Sequence, residues 1–90
     1  MAARTTSISL STSAWTLVAD QTAGDTSALL QQETSGAFLV HGAASAPADP
    51  SNVGVTVNDG GNPFAATLAS GQKLYAKAKG SALSITAMVG

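Results

Sequence analysis

Cysteine is absent from this chain, so no disulfide framework or thiolate metal site can hold it together. A single histidine, His41, cannot build a structural zinc site. Charged residues make up only 10% and leave a net charge of −1, too little basic excess for a nucleic-acid interface. Aromatics are 4%, and no apolar run approaches the ~18 residues of a membrane-spanning helix. The N-terminus, Met1 to Thr6, has no hydrophobic core segment and does not read as a secretory signal. Synthesis in the cytoplasm without general export is the expectation, with neither nucleic acid nor membrane as partner.

What remains is a chain of 90 residues rich in Ala, Ser, Thr and Gly. A domain of that size buries roughly 60% of its unfolded surface, near the lower limit for independent folding. Small folds in this position add disulfides, a metal or a partner subunit. With the first two excluded, self-association is the remaining support. The scarcity of charge suits an assembled component better than a free monomer.

The clearest pattern lies between Gly71 and Gly90. Leu74, Ala76 and Ala78 alternate with Tyr75, Lys77 and Lys79, and after Gly80-Ser81 the alternation resumes at Leu83, Ile85, Ala87 and Val89. This period of two predicts two strands, read as a β-hairpin with one apolar and one polar face. Three of the four basic residues, Lys73, Lys77 and Lys79, fall on the polar face of its first strand. They are expected either to discourage unwanted pairing from a solvated edge or, with Tyr75, to dock on an acidic protein surface.

Upstream, residues 1–6 read as a loose tail and residues 7–90 as one domain. Ser7 to Ser11 alternates as a first strand. In Ala14 to Ala19, Trp15 and Leu17 share one face while Thr16 and Val18 share the other. Asp20 to Asp25 is a turn by its Asp and Gly content. Thr26 to Glu33 contains helix formers that Asp25 could cap, yet it is short and lies between strand-like segments, which favours a strand. Ala37 to His41 reads as a buried strand, and Gly42 to Ser51 as a loop because Pro47 and Pro50 deny ladder hydrogen bonds. Val53, Val55 and Val57 mark another strand. Asn58 to Pro63 is the strongest turn signal, followed by a short strand at Phe64 to Leu68.

Seven or eight short strands without a sustained helical period predict an all-β fold, a single-domain β-sandwich of jelly-roll-like form. The expected core is Trp15, Leu17, Leu30, Phe38, Val40, Val53, Val55, Phe64, Leu68, Leu74, Leu83, Ile85 and Val89. Little chemistry is visible. His41 has small or apolar neighbours and reads as a strand-end residue. Asp20, Asp25, Asp49 and Asp59 are scattered over loops. The Asn-Asp-Gly-Gly-Asn tract lacks the alternating oxygen ligands and closing Glu of an EF-hand. Serines and threonines carry no nucleophile-elbow motif. No enzyme activity, cofactor or metal is expected. Trp15 is expected in the core, with carbohydrate stacking as the alternative.

The segments Trp15-Thr-Leu-Val-Ala, Leu29-Leu-Gln-Gln and Ala37-Phe-Leu-Val-His, a Pro-rich loop, and Gly71-Gln-Lys-Leu-Tyr-Ala-Lys-Ala together resemble small virion proteins of tailed bacteriophages. That resemblance covers most of the chain and implies a compact β-sandwich. It also implies a capsid decoration (cement) role, often as a trimer over the joints between capsomers, with the major capsid protein as partner. Other members of the group are fibre or tail-associated modules. This chain departs from the pattern in its longer Ala43 to Ser51 loop. The contacts expected on this reading are Arg4, Lys73, Tyr75, Lys77 and Lys79. The rival reading is a glycan-binding module that uses Trp15 and loop carboxylates.

Overall fold

The computed structural model describes residues 4–33, 36–45, 54–57 and 63–90. Its eight strands are β1 (Arg4–Leu10), β2 (Thr16–Asp20), β3 (Ser27–Gln32), β4 (Ala37–Ala43), β5 (Val55–Val57), β6 (Phe64–Thr67), β7 (Lys73–Lys79) and β8 (Leu83–Val89). A 3-10 turn at Gln21–Ala23 follows β2. The expectations for Met1–Ala3, for Thr34 and Ser35, for the loop containing Pro47, Asp49 and Pro50, for Val53 and for Asn58 to Asn62 lie outside the described residues.

Two four-stranded antiparallel sheets form, in the orders β1-β8-β3-β6 and β2-β7-β4-β5. The pairs β1 with β8, β2 with β7, β3 with β6, and β4 with β5 are nested, the first strand with the last and so on inward. Pairs β3 with β8 and β4 with β7 then close each sheet. This is a long hairpin doubled at its middle and wound into a sandwich, the jelly roll. The all-β expectation of seven or eight strands is met.

The closing hairpin is not. β7 lies in one sheet and β8 in the other, so the two strands do not pair. Gly80, at φ +91°, carries the chain across from sheet to sheet. Leu74, Ala76 and Ala78 are buried from one side and Leu83, Ile85, Ala87 and Val89 from the other. Alternation identifies which face of a strand is apolar. It does not say whether two such strands lie side by side or face to face.

Ser27–Gln32 is a strand, as favoured over a helix, with Ala28 and Leu30 inward and Leu29 outward. It sits inside its sheet, bonded on both edges, which overrides a helix propensity worth only tenths of a kcal/mol per residue. Residues 4–6, expected in a loose tail, are already strand: Arg4, Thr5 and Thr6 pair with Val89, Met88 and Ala87.

One core cluster joins a few large side chains, including Leu10, Leu30, Phe38 and Ile85, to five alanines at positions 19, 28, 76, 78 and 87. Each fully buried large side chain contributes roughly 1.5–3 kcal/mol. Three expected core members lie elsewhere. Leu17 is 48% exposed, Val55 is 57% exposed on a strand at the sheet edge, and Trp15 is only partly buried. A bulge between Leu17 and Ala19 explains the first: it inserts Val18 as an extra residue, so that both Val18 and Ala19 enter the core. The strand's inward face is thereby Thr16, Val18 and Ala19, and Leu17 is turned out.

Candidate interaction surface

The outer face of the sheet β2-β7-β4-β5 collects most of the residues singled out by sequence. Because Leu74, Ala76 and Ala78 of β7 point inward, Lys73, Tyr75, Lys77 and Lys79 point outward. Residues directly opposite in an antiparallel ladder share a face, so Leu17 and His41 flank Tyr75, and Leu39 stands beside Lys77. Trp15, just before β2, joins them: its ring centroid is 6.0 Å from that of His41, tilted by 57°. The Lys77 Nζ lies 5.9 Å from the Trp15 ring centroid, within reach of a cation–π interaction.

This face is not the solvated basic strip that the lysine spacing suggested. Lys77 is 1% exposed and Tyr75 7%, with Leu39 buried beside them. Of the three lysines only Lys79 is exposed, its Nζ 3.5 Å from the Thr56 hydroxyl, while Lys73 is partly buried opposite Asp20. The central strand of the sheet is covered by its neighbours' larger side chains, and an aromatic ring overlies the cation that alternation alone would expose. What faces outward is therefore Trp15, Leu17 and His41, flanked by the Lys73 and Lys79 charges.

Arg4 is engaged in the fold. Its guanidinium donates to both carboxylate oxygens of Asp25, at 2.9 and 3.2 Å, and Asp25 Oδ2 also accepts the Asp20 backbone N–H at 3.0 Å. Asp25 is 1% exposed. The Arg4 hydrogen bonds, then the Asp20 N–H, hold its carboxyl below the usual carboxylate range against the opposing pull of burial. Asp20 is likewise lowered, chiefly because the Thr22 hydroxyl and N–H donate to its Oδ1 where it caps the 3-10 turn. Two of the loop carboxylates offered for glycan binding thus serve a structural knot tying the start of β1 to the β2–β3 turn.

Among the described residues, the outer face of the other sheet is uncharged except for Glu33. Its Oε2 accepts hydrogen bonds from Ser7 at 2.6 Å and Thr86 at 2.9 Å, laying a polar network across three strands. Beside it Leu29 (40% exposed) and Met88 (47%) stand out with Ala65 and Thr67, bordering a shallow depression of about 420 Å³. The apolar Leu29–Met88 patch was not anticipated. Leu29 lies next to Leu30, and adjacent leucines on a strand must point to opposite faces, which was the available signal.

Among the described residues no group of three His, Asp or Glu side chains stands close enough to hold a metal ion. No known protein family matches the chain, and neither a curated protein nor a solved structure is significantly similar to it.

Proposed function

We propose that this chain is a non-enzymatic structural protein of a tailed-bacteriophage particle, a decoration protein that binds the outside of the capsid and stabilises the head. The observation that carries this reading is that both sheets turn large apolar side chains outward, Leu17 on one and Leu29 with Met88 on the other. A 90-residue domain with only nine charged residues has little else to keep such faces in water, so they favour being covered. Burial of these faces against neighbouring capsid subunits, at about 25 cal/mol per Å² of apolar area, would cross-link the shell. The resemblance adds the major capsid protein as partner, a homotrimer as the assembled form and the virion surface as location. Lys73 and Lys79 orient the domain on an acidic patch, while Tyr75 and Lys77 act beneath the contact layer, supporting Trp15.

Quantitative mass spectrometry of purified particles tests the reading by counting this chain against the major shell subunit. A near-stoichiometric ratio supports decoration. A few copies per particle would move the chain to a tail, fibre or head-to-tail position, and absence from particles would refute any virion role. On particles, Lys73→Glu with Lys79→Glu should lower occupancy, and unchanged occupancy would remove that face from the contact.

The glycan-binding reading is favoured by one observation: Trp15 lies on an outer face and is only partly buried. Titration of Trp15 fluorescence with a sugar panel decides it, and a silent signal rejects it.

A further inference from the structure

A sheet edge presents backbone donors and acceptors that template pairing with another chain, and natural folds guard against it with shortness, proline, bulges or charge. Among the described residues, three of the four edges are guarded. β5 has three residues. β6 has four and follows Pro63. β2 is broken by the bulge at Leu17/Ala19. β1 has none of these devices. It runs for seven residues in unbroken register with β8, contains no lysine or proline, and stands at the end of its sheet. Its one charge, Arg4, is at its first residue and is ion-paired with Asp25. Thr5, Thr6, Ser7 and Ser9 are exposed.

We propose that β1 is a self-pairing edge: two copies join β1 to β1 antiparallel about a two-fold axis at Ser7, merging the two β1-β8-β3-β6 sheets into one of eight strands. The occupant follows from the edges. With the other described edges guarded, the partner most able to complete β1 on a second copy is β1 itself, which gives a closed, isologous pair. Register follows from parity. Directly opposed residues must share a face, so the positions of each pair sum to an even number, and a sum of fourteen pairs all seven residues. Thr6 then opposes Ile8, Thr5 opposes Ser9, and Ser7 meets its own copy. The two Arg4 side chains stand about 20 Å apart at ~3.4 Å per residue, well beyond the ~8 Å screening length. A cleft of about 430 Å³ between β1 and β2, lined by Thr6, Ile8, Thr16, Leu17 and Val18, lies where the added strand's inward side chains would fall.

The inference rests on the edge alone: it competes with the homotrimer that the resemblance implies, and it neither needs nor excludes the capsid-binding role. Sedimentation of the purified chain should show twice the 8.8 kDa mass. Thr5→Lys with Ser9→Lys places lysines opposite each other twice and should give monomer. Thr5→Lys with Ser9→Glu places opposite charges across the same register and should restore the dimer. Ser7→Cys, the only thiol in the chain, should oxidise to a covalent dimer, because opposed Cα atoms at ~4.5–5.5 Å suit a disulfide. An unmodified chain that stays monomeric at its solubility limit, or that forms a trimer, would overturn the proposal, as would a dimer indifferent to the lysine pair. Should the lysine variant not fold, failure of Ser7→Cys to cross-link would overturn it equally. A trimer would leave the decoration reading intact.

Discussion

Two glycines with similar backbone angles provide a controlled test of the packing between β4 and β5. Gly80 has φ +91° and Gly54 φ +110°, so alanine is strained at both. At Gly80 a new Cβ would meet nothing within 4 Å, which leaves only the conformational penalty of about 1–2 kcal/mol. At Gly54 the same atom would stand 2.4 Å from the Val40 carbonyl oxygen and 3.1 Å from its carbon. These are backbone atoms of β4, so relief requires β5 to move off the strand it pairs with at Val40 and Val55. Overpacking adds about 1–3 kcal/mol, which brings Gly54→Ala to roughly 2–5 kcal/mol. For a domain of this size each kcal/mol shifts Tm by roughly 4–8 °C. Thermal and urea unfolding of both variants should therefore place Gly54→Ala at least about 4 °C below Gly80→Ala. Equal losses would show that the β4–β5 approach is not a constraint, and would refute the argument.

Acid should loosen the Arg4–Asp25 knot. The Asp25 carboxyl is lowered in the fold and titrates near 3.9 when unfolded, so its contribution is complete above that value and is lost as pH falls through the folded one. Asp25→Asn should flatten the dependence of Tm on pH below about 4, and an unchanged slope would assign acid sensitivity elsewhere. At the buried Lys77, Lys77→Glu places a carboxylate against the Trp15 ring and should cost roughly 3 kcal/mol or more. Lys79→Glu, on the exposed end of the same strand, should stay within about 0.5 kcal/mol; similar losses at both positions in urea titrations would contradict the burial difference. Ile85→Ala in β8, fully buried, should lose about 2–5 kcal/mol by the same assay, and a loss below 1 would show a core able to collapse around it.

Strand identity was legible in the sequence because it depends on local alternation. Leu74, Ala76 and Ala78, and then Leu83, Ile85, Ala87 and Val89, were correctly read as apolar faces. Partner choice was not legible, since two faces with the same period pack across a sandwich as readily as they line up in a hairpin. The position of Leu17 was lost to a bulge, a one-residue event that reverses the phase without altering composition. Trp15 misled through size: the largest hydrophobe in a small chain reads as core, but here it overlies Lys77. The alanines at 19, 28, 76, 78 and 87 were underrated for the opposite reason, as small side chains carry weak signal yet fill much of the space between the sheets. The lysine alternation correctly located the outer face. It could not reveal that Lys77 is buried there, because burial depends on side chains from β2, β4 and the segment before them.

The nested pairing also ranks the strand pairs by the length of chain each must close. The innermost pair, Val40 with Val55, closes the shortest loop, while the outermost, Arg4 with Val89, joins residues far apart in the chain. Loop-closure entropy grows with that separation, and a fold dominated by distant contacts forms slowly. On that ranking β1 carries the largest closure cost of any strand, so zipping from the middle outward would dock it last. Until it does, the edge of β8 that β1 will cover is open, and a β1 from another copy could occupy it by exchange. The same strand that closes the monomer is thus its most vulnerable point during folding.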